Sequence, residues 1–186
     1  MRAKNLITTG EAGPLGKGAM AQITTRLVDQ LFNSPNEIMI MNHLAEWNRE
    51  HLNSRFASAQ LYDPGAKRLR VVAQSGFRVG LLSQFGDIPI TSGTVCARAA
   101  RLQVPVLIPD VNADPDWNPF LDFSETAGFG GVLSIPVLSK PGDLIGVTSC
   151  HFAGSAKPSK SEMKFALMSC EFASDAVAEL RWRTAQ

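Results

Sequence analysis

The sequence predicts an α+β domain built on one largely antiparallel sheet of five to six strands, with helices at both ends. Three observations predict it. Helix-period apolar patterns lie near both ends, over residues 20–52 and 160–183. Between them, short apolar runs are joined by Asp63-Pro64-Gly65 and Lys140-Pro141-Gly142-Asp143, turn chemistry that makes hairpins. And 186 residues, 45% apolar and 19% charged, have the length and balance of one globular domain.

Residues 1–18 carry Gly10, Gly13, Pro14, Gly16 and Gly18 and read as a flexible leader, leaving 19–186 as the single domain. From Met20, Ile23, Leu27 and Leu31 recur at helical spacing, with Val28 and Phe32 beside them. Ser34-Pro35-Asn36-Glu37 stops this helix and starts another: Ser34 is placed to cap, Pro35 suits the first turn, and Glu37 completes a capping box. The second helix runs to about Leu52 with an apolar face wider than one packing contact needs. Residues 55–62 and 68–74 form a hairpin, 76–87 form a loop with a short helix, and 87–90 are extended. Ser92-Gly93 opens an Ala- and Arg-rich helix over 94–103, and 104–110 is an apolar strand. After a helical turn or two ending at Gly128, 131–139 and 144–152 make the second hairpin, and Ser159 with Glu162 caps a helix reaching about Arg183.

Composition narrows the function. A net charge of +1 gives no electrostatic ground for nucleic acid or acidic lipid. No stretch reaches the roughly 18 apolar residues of a membrane span, and the N-terminus shows no signal-peptide core. Cys96, Cys150 and Cys170 are far apart without a CxxC, the pattern of reduced thiols in a cytoplasmic protein.

The segment 110–120, DVNADPDWNPF, concentrates the polar chemistry. Asp110, Asn112 and Asp114 match the first half of a calcium loop. Such a loop needs glycine at its sixth place and a bidentate Glu at its twelfth, and these are Pro115 and Leu121. Asp110 and Asp114 are therefore read as caps of turns, and Trp117 and Phe120 as aromatics folded over something apolar. Cys96 lies in the first turn of its helix, where exposed N–H groups and Arg98 favour a thiolate. Its alternative is a small apolar residue packed among alanines, which is the commoner case. His151 follows Cys150 in a strand, so the two point to opposite faces. His43 and His51 share a helix with Glu46 and Glu50 but form no HExxH, and read as solvated.

The run from Ser92 to Met163 resembles a GAF domain, of the subtype attached to bacterial histidine kinases and other two-component proteins. The resemblance is carried by Cys96 with Ala97, Ala99 and Ala100, by Val106 through Val111, by Asp114-Pro115 with Trp117, by Gly128-Phe129 and Ser134-x-Pro136, by Gly146, Ser149, His151 and Phe152, and by Pro158-Ser159 with Glu162. It implies a GAF/PAS-like central antiparallel sheet with terminal helices packed on one face and a ligand-pocket lid, including 110–130, on the other. It further implies a signal-sensing module without catalysis, whose pocket candidates are Cys96, Trp117, Phe120, Phe129, Ser134, Ser149 and His151. Ligand and cofactor stay unnamed. The Asn-Lys-x-Asp signature of cyclic-nucleotide-binding members is missing. Cys150-His151 falls on a strand rather than at a bilin-attachment position. The free-methionine sulfoxide reductase members have a Val-Cys helix like Val95-Cys96, but their second cysteine has no counterpart over Asp114–Asp122. A reductase using Cys96 and a dimerisation module with a vestigial pocket are the alternatives.

Assembly is read from the last helix. Met163, Ala166, Leu167, Cys170, Ala173, Val177 and Leu180 form one stripe, and Phe165, Met168, Phe172 and Ala176 a second, nearly opposite. The first covers the sheet. The second needs the 20–33 helix of its own chain or a helix of another subunit, and a homodimer through terminal helices is expected.

Overall fold

The computed structural model describes residues 17–77 and 85–186. The leader expected over 1–18 lies, up to residue 16, outside the described residues, as does most of the short helix expected within 76–87. Helix α1 spans Lys17–Phe32 and α2 spans Glu37–His51. Strands β1 (Phe56–Asp63) and β2 (Arg68–Ser75) form the first hairpin, and β3 is Asp87–Pro89. Helix α3 (Val95–Leu102) leads to β4 (Val106–Ile108). Two 3-10 turns, Val111–Ala113 and Pro115–Phe120, run into α4 (Leu121–Ala127). The hairpin of β5 (Gly131–Leu138) and β6 (Leu144–Phe152) precedes α5 (Lys160–Thr184).

Every strand pairing is antiparallel, in the order β3-β2-β1-β6-β5-β4. β3 and β4 are consecutive in the chain yet lie at opposite edges. The connection between them must cross the sheet, and it does so as α3 on the front face. The polypeptide then returns as the two 3-10 turns and α4 before entering β5. The front is thus covered by the chain's own crossing, while α1, α2 and α5 cover the back.

Strand alternation sorts the side chains between these faces. Ala57 and Ala59 of β1, Leu133, Ile135 and Val137 of β5, and Cys150 of β6 pack behind the sheet, against Leu27, Leu31, Ile40, Leu44, Phe165, Ala173 and Val177. Ser58, Gln60, Ser134, Ser149 and His151 point forward. The back is an apolar core that also holds a buried polar bridge, in which the Ser169 hydroxyl donates to the Asn48 side-chain oxygen at 2.7 Å.

Several sequence expectations change. The cap of α2 is Asn36, whose side-chain oxygen accepts from the Met39 N–H, so Glu37 is the first helical residue. Ser34 instead closes α1, its hydroxyl donating to the Gln30 carbonyl at 2.8 Å. His51 is not a solvated helix-face residue, because its ring is stacked between Trp47 and Phe165, with centroids at 4.9 and 4.2 Å. In α5 the capping box of Ser159 and Glu162 forms as expected. The second stripe finds its cover within the chain: Phe165 and Ala176 are 4% and 1% exposed, and Met168 and Phe172 pack on the same core. Leu167, assigned to the stripe facing the sheet, is 38% exposed. Among the described residues no helix is long and apolar enough to cross a membrane.

Candidate ligand pocket

The pocket is built on a polar row across the middle of the sheet. Ser58 pairs with Ser149, and Ser149 with Ser134, so three serines stand side by side on β1, β6 and β5, all facing forward. Gln60 lies two residues along β1 from Ser58, and His151 two along β6 from Ser149. The Ser134 and Ser149 hydroxyls share a hydrogen bond of 2.8 Å, and the Gln60 amide nitrogen donates to the Ser58 hydroxyl at 2.8 Å. The Gln60 side-chain oxygen is buried and has no hydrogen-bond partner.

Three walls enclose this floor. Helix α3 contributes Thr94, Val95 and Cys96, the β2–β3 edge contributes Val71 and Ile88, and Trp117 and Phe123 form the lid beside Phe77 and Phe85. The cavity, partly open to solvent, has a volume of about 50 Å³. The lid's shape follows from its aspartates. Asp110 accepts from the Asn112 N–H and Asp114 from the Asp116 N–H, each capping a short turn, and Pro115 opens the second. Gly128 ends α4 in the left-handed conformation, at φ 79°, as its place in the sequence predicts. Trp117, 4% exposed, turns inward, and its indole N–H donates to the Ser124 hydroxyl at 3.2 Å.

An ion pair ties this lid to α3. The Arg98 guanidinium forks onto both carboxylate oxygens of Asp114 and reaches Asp116 at 3.5 Å, with the Arg98 and Asp114 side chains each only 12% exposed. The loop before α3 also presses on the lid: a Cβ at Gly93 would lie 2.5 Å from the Asp116 carbonyl oxygen.

Five of the seven predicted pocket residues, Cys96, Trp117, Ser134, Ser149 and His151, share this cavity wall. Phe129 stands behind it, edge-on to His151 at 4.8 Å and Trp117 at 6.0 Å, and half-buried Phe120 packs on the outer side of Trp117 at 5.3 Å. Ser58, Gln60, Thr94 and Phe123 line the wall without having been singled out. Ser58 and Gln60 had a signal: in Phe56-Ala57-Ser58-Ala59-Gln60-Leu61 the polar residues fall on one face of the strand.

Burial controls the titratable groups. It raises the Cys96 thiol pKa, and the opposing hydrogen bond from Thr94, backbone contacts and the Arg98 charge do not reverse it. The thiolate that a helix N-terminus and Arg98 would favour is therefore not the form this site stabilises. Cys150 is pushed up to about 12 by burial behind the sheet, and Cys170, also buried on that side, is raised as well. Neither thiol faces Cys96. Burial lowers His151 to about 3, opposed in part by the Phe56 backbone, so its ring is neutral near pH 7.

An antiparallel sheet with helices behind and a lidded, polar-floored cavity in front defines a pocket domain of the α+β class. The chain belongs to the GAF family: the family's domain model matches residues 37–178, well over half its length. No curated protein matches the sequence. Solved structures share the fold at low identity. A GAF domain from a phosphoenolpyruvate-protein phosphotransferase of Coxiella burnetii is 17% identical, with a TM-score of 0.75 over 90% of this chain and 97% of that one. The free methionine-R-sulfoxide reductase of Neisseria meningitidis, solved with its substrate, is 16% identical, with a TM-score of 0.71 over 89% and 92%. The chromophore-binding domain of a bacteriophytochrome from R. palustris is 13% identical, with a TM-score of 0.67 over 90% of this chain and 64% of that one.

Proposed function

We propose that this chain is a non-catalytic regulatory GAF module that senses a small molecule in its lidded pocket and works through a helical homodimer, in the cytoplasm, as part of a two-component signalling protein. The observation that carries the reading is the pocket floor. A buried sheet face normally takes apolar side chains, because unpaired polar groups cost free energy there. Here Ser58, Gln60, Ser134, Ser149 and His151 are all under 9% exposed and face a cavity. Native mass spectrometry of the purified protein tests it. A non-covalent small-molecule adduct is expected on the wild type and lost in Ser134→Val/Ser149→Val, and a bare wild type speaks for a vestigial pocket.

A second reading, a reductase using Cys96, is favoured by the place of that thiol in the cavity wall and by the likeness to the Neisseria enzyme. Its chemistry lacks a resolving thiol on the front of the sheet among the described residues, since Cys150 and Cys170 pack behind it. Thiol-dependent reduction of free methionine sulfoxide by the wild type, abolished in Cys96→Ser, would establish the enzyme instead. Bilin attachment through Cys150 is opposed by the same geometry, because that thiol faces the helices. For the homodimer the remaining surface is the exposed apolar part of the helical layer: Ile38 of α2 and Leu167 and Trp182 of α5, at 50%, 38% and 61% exposure.

A further inference from the structure

We infer that the group this cavity takes is an uncharged amide, carrying an N–H donor beside a carbonyl acceptor. The inference rests on the reading of the cavity as a ligand pocket and deepens it.

Charge finds no partner in the described wall. Among the described residues lining the cavity, none is Asp, Glu, Lys or Arg. An ion brought into such a site loses its hydration with no opposite charge to replace it. Arg98, two residues from Cys96, is not in the wall and is already held by Asp114 and Asp116. His151 faces Phe77 and Phe129 rather than any carboxylate, and burial keeps it neutral.

Hydrogen bonding fixes the rest. The Gln60 side-chain oxygen, in a residue 2% exposed, is an acceptor without a donor. Leaving it so is costly, and an N–H or O–H on the ligand would meet it. Across the floor, the Ser134 and Ser149 hydroxyls own two hydrogens and place one between them. The other is free to donate to a ligand oxygen. The wall thus offers open groups of both kinds: the Gln60 oxygen accepts, the spare serine hydrogen donates, and the neutral His151 ring has an Nδ1 without a partner that takes either role by its tautomer. Such a wall complements a group holding a donor and an acceptor close together, as an amide does. The walls above are apolar and aromatic, suiting the flat faces of such a group. Size agrees: about 50 Å³ holds roughly four water-sized groups at about 10–15 Å³ each, the heavy-atom count of acetamide.

Three molecules of one shape separate these demands. Acetamide has the donor and the acceptor, acetone keeps only the acceptor, and acetate replaces both with charge. Each is titrated into isotope-labelled full-length protein, following the Trp117 indole and Gln60 amide resonances by NMR. Four heavy atoms limit Kd to no tighter than tens of micromolar, about the ceiling of ligand efficiency. Acetamide is expected to give saturable shifts at both groups, acetone to bind about tenfold more weakly for the missing hydrogen bond, and acetate to give none. Gln60→Met, which keeps the side chain's length, is expected to erase acetamide's advantage over acetone. The wild-type ranking decides the matter even if that variant does not fold. Acetate or acetone binding as tightly as acetamide overturns the amide and leaves the pocket standing. Absence of any saturable shift from all three overturns both.

Discussion

His151 couples the pocket to pH. Its pKa falls from 6.5 to about 3 on folding because burial removes the water a cation needs, with Phe77 and Phe129 packed edge-on against the ring. Between those two values the unfolded chain binds a proton that the folded chain does not. Stability from this group is therefore complete above pH 6.5 and is lost as pH falls toward 3. The loss by pH 4 is on the order of 3 kcal/mol. Urea unfolding at pH 7 and pH 4 is expected to show a steeper decline for the wild type than for His151→Gln, and parallel declines would show that His151 is not buried neutral. Arg98 makes the other residue-scale prediction. Arg98→Met leaves Asp114 mostly buried without its cation, which is expected to destabilise by about 2–4 kcal/mol. Asp114→Asn is expected to cost less, since an asparagine oxygen still caps the Asp116 N–H. Equal losses in the two variants would show that leaving the Asp114 charge without its cation costs nothing beyond the broken pair.

At the scale of elements, the lid sits where the loop before α3 lets it. Gly93 has ordinary backbone angles, so alanine there strains nothing by itself. Its Cβ would meet the Asp116 carbonyl, a main-chain atom that cannot turn aside as a side chain does. Gly93→Ala is expected to push the second 3-10 turn outward and displace the Trp117 indole resonance while leaving the resonances of α2 and α5 in place. A spectrum unchanged at Trp117 would mean the loop yields instead. The sequence carried the elements whose signals are local. Both hairpins announce themselves through Asp63-Pro64-Gly65 and Lys140-Pro141-Gly142, the Ser159–Glu162 box is a four-residue pattern, and Gly128 marks the end of α4. It misplaced the cap of α2 because Ser34, Asn36 and Glu37 all suit caps, and only the path of the chain chooses among them. The clasp of Arg98 on Asp114 was hidden by a separation of sixteen residues across a crossover. The pocket floor was half legible: Ser134, Ser149 and His151 stood out through the family resemblance, whereas Ser58 and Gln60 needed the strand phase. Phe120 was placed on the wall because an aromatic in a loop invites it, but Trp117 fills that position and Phe120 stacks outside.

For the whole molecule, the two faces of the sheet carry different work. The back is a closed apolar core of three helices, and the front is a cavity under a latched lid. In the proposed homodimer a signal from the front would reach the partner through the helices behind, so its surface is expected on the outside of that layer. Phe165 cannot supply it. At 4% exposure and stacked on His51, Phe165 belongs to the core, and Phe165→Glu would bury a charge and unfold the protein rather than release a monomer. Trp182 differs: it is 61% exposed, one residue from Arg181, which clasps Glu37 of α2 at 2.7 Å. That ion pair joins the end of α5 to α2 beside Trp182, and large exposed aromatics are where association energy concentrates. Wild-type protein is expected to sediment as a dimer at micromolar concentration. Trp182→Glu is expected to sediment as a monomer with its melting temperature little changed, because no core contact is lost. A wild type that remains monomeric at high micromolar concentration would end the dimer proposal. A Trp182→Glu variant that stays dimeric would move the interface elsewhere on the helical layer.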